Sequence, residues 1–137
     1  MRPVFVLYPD LEPEVVARAA DPEGYSGPVC GGHKPPGGGA MWHYIDPRDL
    51  AAAYKNALDL ENPGIGPYFL SGPNTLAPDH TLNRLSKMSD KKVEIKAPMI
   101  YKKNPFAPLY DLSFSEIILN FRAHNDLLEN LSLYDGT

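Results

Sequence analysis

The chain has 137 residues, 43% of them hydrophobic and 22% charged, with a formal net charge of −4. That is enough for one packed core and too little for two; it is too apolar for a disordered tail and of the wrong sign for a nucleic-acid surface. Its single cysteine, Cys30, excludes an internal disulfide, and no apolar run approaches the ~18 residues a membrane helix needs. The expectation is one cytoplasmic domain over residues 1–137, without nucleic-acid or membrane partners.

From the N-terminus, Val4-Phe5-Val6-Leu7 is a short unbroken apolar run, the pattern of a strand buried on both faces. Leu11, Val15, Val16 and Ala19 then share one side of a helix, with Pro13 tolerated in its first turn. Residues 22–39 are a Gly/Pro-rich loop, because both residue types punctuate elements and are depleted inside them. Cys30 and His33 fall in that loop, where the cysteine reads as a small apolar residue rather than a nucleophile.

An aromatic strand, Trp42-His43-Tyr44, runs into the best-marked helix. Asp46 is placed to cap it, Pro47 takes the first helical position, and Asp49 favours the positive helix end. Leu50, Ala53, Tyr54, Ala57 and Leu58 make its apolar stripe, with Arg48, Lys55, Asn56 and Asp59 opposite and Asn62-Pro63-Gly64 as its stop. Tyr68-Phe69-Leu70 is a second buried strand, closed by Ser71-Gly72-Pro73. A helix over 79–88, inward-facing through Leu82, Leu85 and Met88, and a strand over 93–96 follow. Ser113-x-x-Glu116 reads as a capping box, with Leu112 stapled to Ile117 and with Ile117, Ile118 and Phe121 facing inward. The class is α/β, and 40–72 is a right-handed strand–helix–strand crossover.

Several blocks carry a family likeness. They are Arg2-Pro3-Val4-Phe5-Val6 through Pro9; Tyr44-Ile45-Asp46-Pro47-Arg48-Asp49-Leu50-Ala51; Tyr68-Phe69-Leu70-Ser71-Gly72; and Leu109-Tyr110-Asp111-Leu112-Ser113 with Phe121 beyond. In order and spacing they resemble the C-terminal half of the extended short-chain dehydrogenases, the NAD-dependent epimerase/dehydratase-like proteins. The block around Tyr44 is the most specific. The resemblance implies a partial Rossmann-type sheet, made of late strands and their crossover helix, followed by a small C-terminal α/β substrate-binding subdomain. It also implies oxidoreductase or epimerase chemistry with NAD(P).

The signatures of that chemistry are missing. Gly37-Gly38-Gly39 precedes a strand rather than a helix, and Gly64-Ile65-Gly66 lacks a third glycine, so neither cradles a dinucleotide. No tyrosine has a lysine four residues on; Tyr44 has Arg48 there. The chain is therefore expected to hold no cofactor and no catalytic residue alone, with NAD(P) entering only through a complementary Rossmann-bearing chain. His33, His43, His80 and His124 show no metal-ligand spacing.

Departures inside the matched blocks shape the substrate expectation. Tyr8 precedes Pro9 where many relatives have glycine, Trp42 stands where sugar-nucleotide members carry a phosphate-binding arginine, and Leu70 replaces an asparagine. Phe114 and Asn120 stand where a lysine and a glycine are usual. Tyr8, Trp42, His43 and Tyr44 are the candidate substrate-binding residues, and the substrate is expected to be apolar or aromatic rather than a nucleotide sugar. Other readings are a stand-alone small-molecule module, a non-redox enzyme, and a structural subunit or remnant. Two short buried strands leave unpaired edges, so a homo-oligomer or complementary-chain complex is expected, joined at 4–7 or 68–70.

Overall fold

Residues 2–7 form one extended segment that finds partners on both sides. β1 (Arg2–Pro3) runs parallel to β4 (Phe69–Leu70), and β2 (Phe5–Val6) runs parallel to β3 (Tyr44–Ile45). The Arg2 and Val4 N–H groups donate to Tyr68 and Leu70 carbonyls, whereas Leu7 N–H donates to Ile45 C=O at 3.0 Å. Successive amides of an extended chain point in opposite directions, which lets one segment serve two neighbours. The computed structural model describes residues 1–21, 24–25, 43–62, 64–77, 79–89 and 91–130. Of the loop over 22–39, only Gly24 and Tyr25 are among them; Cys30, His33 and Trp42 lie outside the described residues.

The result is a small α/β domain with two small parallel sheets. A single turn of tight helix over Pro9–Leu11 leads into α1 (Glu12–Ala20), and α2 (Pro47–Leu58) links β3 to β4. α3 (Thr81–Met88), α4 (Pro98–Lys103), α5 (Ser113–Leu119) and α6 (Leu127–Asn130) complete it. β3 divides the core: Tyr44 packs with Leu7, Val15 and Leu76, while Ile45 packs with Ala53, Leu70 and Leu119. Adjacent strand residues point to opposite faces, so one dipeptide supplies both clusters. Among the described residues, no helix is long and apolar enough to cross a membrane. Within 4–7, Val4 N–H is taken by Leu70 C=O and Leu7 N–H by Ile45 C=O, so part of the edge of one expected interface is already paired inside the chain.

The start of α2 forms as its sequence predicts. Asp46 Oδ1 accepts the Arg48 N–H at 2.8 Å, and Pro47 occupies the first turn. Arg48's side chain, then the desolvation that opposes it, then the Arg48 N–H bear on the Asp46 carboxyl, which settles below the usual range. Asp46→Ala should lower stability by about 1 kcal/mol, the usual worth of such a cap, read as a shift in the urea midpoint.

Several helix faces depart from the predicted stripes. In α1 Val15 and Arg18 are buried while Val16 and Ala19 are exposed, because Arg18 reaches inward to donate to Leu76 C=O. In α2 Leu58 is 85% exposed and Tyr54 is also outward, while Asp49 is fully buried. Asn56, expected outside, donates to Leu119 C=O at 3.0 Å. In α3 the buried residues are Thr81 and Arg84, and Met88 is exposed. No strand forms over 93–96, where Val93 and Ile95 find no partner strand among the described residues, and that stretch instead leads into α4.

The predicted capping box is also replaced. Ser113 is itself the first residue of α5, and Asp111 Oδ1 accepts both its N–H at 3.0 Å and its hydroxyl at 2.6 Å. Glu116 pairs with Arg122 rather than turning back to the helix start. Ile117 is 75% exposed and Ile118 also faces out, while Leu119 and Phe121 are buried. Ser113 lies inside the helix rather than at the position before it, and Asp111, two residues earlier, accepts both of its donors with one carboxylate oxygen.

Candidate functional site

β4 exits through Ser71-Gly72-Pro73, and the exit is tight. Gly72 N–H donates to Tyr44 C=O, and a Cβ at Gly72 would stand 2.9 Å from that oxygen. Only glycine lets the two backbones approach so closely. Beyond this exit opens a cleft of about 980 Å³. The extended stretch before α4, α4 itself and the 107–113 loop line it, with Arg122 and Ala123 after α5. The space beyond the carboxyl end of a parallel strand is where open α/β folds hold ligands.

The lining is mostly apolar, with Val93, Ile100 and Leu109 prominent, and Lys96, Asp111, Glu116 and Arg122 add charge. The Ser113 hydroxyl, and next its N–H, hold the Asp111 carboxyl below the usual carboxylate range. Tyr101 donates to Pro108 C=O at 3.2 Å, which ties α4 to the loop, and burial pushes its phenol upward. The Tyr101 and Ser113 hydroxyls are thus both donated to structural hydrogen bonds.

Behind the wall runs a polar chain. Asn104 lines the cleft and donates to Asn74 Oδ1 at 2.7 Å; Asn74 in turn donates to Asp126. Asp126 accepts the Tyr44 hydroxyl at 2.9 Å, and the Tyr44 oxygen accepts Leu127 N–H at 2.9 Å. Tyr44 is therefore a core residue whose phenol ties β3 to the start of α6, and it does not line the cleft.

His43 stands in the same supporting layer. Its Nε2 accepts Leu109 N–H at 2.9 Å, and its ring lies 4.5 Å from that of Tyr110, which stacks on Phe69. Burial lowers its pKa from 6.5 to about 4, so it is neutral at pH 7 with the proton on Nδ1. A histidine whose acceptor nitrogen is already engaged holds the loop in place rather than serving as a base.

Of the sequence-predicted site residues, His43 and Tyr44 are thus brought together directly behind the cleft, against its lining residues Leu109, Tyr110 and Gly72. Tyr8 is 56% exposed beside the turn at Pro9 and makes no ring contact with either of them among the described residues. Trp42 lies outside the described residues. The sequence pointed to none of Tyr101, Asn104 and Arg122, which line the cleft. The only local sign was Pro98, a helix-starting proline that marks α4. Among the described residues, no group of three or more His, Cys, Asp or Glu side chains could hold a metal ion. No family model, no curated protein and no solved structure matches the chain.

Proposed function

We propose that the chain is the substrate-binding portion of an NAD(P)-dependent epimerase-, dehydratase- or reductase-like protein, and that its cleft takes a small apolar or aromatic molecule. The observation that carries this is the position and character of the cleft, a mostly apolar space at the carboxyl end of a parallel strand. The likeness of the Tyr44 block to the family supports it independently. Lacking a dinucleotide loop and a Tyr-x-x-x-Lys pair, the chain contributes binding and orientation, and a complementary Rossmann-bearing chain contributes NAD(P) and hydride transfer.

Binding is tested by thermal shift with small aromatic and alicyclic compounds. Ile100 lines the cleft and is 52% exposed, so Ile100→Glu should leave the fold intact while placing a charge against the ligand. Loss of affinity of about tenfold or more is expected, equivalent to about 1.4 kcal/mol; unchanged affinity would remove the cleft from consideration. NADH fluorescence tests the split-enzyme reading. The chain alone should leave the emission unchanged and a change should follow on mixing with a complementary Rossmann-bearing chain; stoichiometric binding by the chain alone would overturn the assignment.

A further inference from the structure

Between β4 and α5 lies a niche of about 10 Å³, room for one water-sized group. It adjoins the cleft and shares Ser71, Leu112, Glu116, Arg122 and Ala123 with it. Ser115, in the first turn of α5, also lines the niche; the residue is 2% exposed and its hydroxyl has no hydrogen-bond partner among the described residues. Such a group is costly unless something meets it, and buried hydroxyls are almost always satisfied. Ser71, across the niche, is 3% exposed, and its hydroxyl reaches Tyr44 C=O only at 3.5 Å, the limit of a useful bond. Two under-used hydroxyls thus border one water-sized space at the edge of an apolar cleft.

We infer that this niche is an oxygen subsite. A ligand lays its apolar body in the cleft and inserts one terminal hydroxyl or carbonyl oxygen, which accepts from Ser115 and, secondarily, from Ser71. Apolar alcohols, ketones and aldehydes are the matching class. A carboxylate fits poorly, because the Arg122 guanidinium at the rim is already taken by both Glu116 oxygens, at 3.1 and 2.8 Å. The inference rests on the cleft being a ligand site and adds the polar end of that ligand.

The test uses benzyl alcohol and ethylbenzene, which share a shape but exchange a hydroxyl for a methyl group. Both are titrated into the full chain while backbone amide resonances of the cleft are followed by NMR. Benzyl alcohol should bind about tenfold more tightly, and Ser115→Ala should abolish that preference while leaving ethylbenzene affinity unchanged. Unliganded Ser115→Ala should melt no lower than the parent, because it discards a desolvated hydroxyl. Should that variant fail to fold, Ser71→Ala takes its place, with a smaller loss of preference. If both probes bind equally well to the parent chain, or if the preference survives in Ser115→Ala, the oxygen subsite falls and the cleft stands. If neither probe moves the cleft resonances, both fall.

Discussion

Replacing Asp49 with alanine is expected to cost about 3 kcal/mol or more of folding stability, the loss seen when one partner of a buried charged network is removed. Asp49 is fully buried in the first turn of α2 and holds a segment far along the chain. Its Oδ2 accepts the His124 and Asn125 N–H groups at 3.1 and 2.9 Å, and its Oδ1 accepts the Asn125 side-chain amide at 2.8 Å. Alanine would strand two backbone donors and one side-chain donor together. Asp49→Asn should cost less, since it keeps the shape and one acceptor but turns an amide against those donors. Urea unfolding measures both. A small domain has only about 5–15 kcal/mol in total, so Asp49→Ala should move the midpoint far. A change within about 0.5 kcal/mol, the range of neutral surface substitutions, would show that the clamp does not hold the segment.

The second large effect is a pH dependence. His43 titrates near 6.5 when unfolded and about 4 when folded, so between those values the unfolded chain binds a proton there that the folded chain does not. Stability from this group is complete above pH 6.5 and drains away as the pH falls towards 4. Each unit of difference is worth about 1.4 kcal/mol, so the full window corresponds to about 3 kcal/mol. The lowered carboxyls of Asp46, Asp79 and Asp111 lose their contributions below their ordinary value of 3.8, outside most of that window. His43→Gln keeps an acceptor for Leu109 N–H and removes the proton. Its stability should be nearly flat where the parent chain's declines, and parallel curves would show that His43 is not the sensor.

The signals that survived from sequence to structure were local ones. Asp46-Pro47 announces α2 because a cap and a pre-set φ act within one turn. The apolar run from Val4 to Leu7 announces an extended segment, but not cover on both faces: Leu7 is buried while Phe5 is 48% exposed. The helix faces were misjudged because periodicity counts apolar residues only. Asp49, Asn56, Arg18 and Arg84 are turned inward, or partly so, to satisfy backbone and side-chain groups far away, and Tyr54, Leu58 and Ile117 are left outside. No window of neighbouring residues contains those demands.

The cleft was hidden for a related reason. Its back rests on His43, but what His43 supports is Leu109, 66 residues on, and a hydrogen bond between an imidazole and a distant loop amide leaves no motif. The Ser71-Gly72-Pro73 exit was visible as a chain turn. That the turn borders a space became evident only when 93–113 was placed around it.

The doubly flanked opening segment also matters while the protein is being made. Val4 to Leu7 leaves the ribosome well before its flanking strands at 44–45 and 69–70, and the latch from Asp49 to His124 and Asn125 arrives later still. Throughout that interval a nascent apolar strand waits without neighbours, the condition under which chains associate wrongly or recruit chaperones. Translation products cut short before residue 44 would carry that exposure permanently and should be cleared by cellular proteolysis faster than the 137-residue chain.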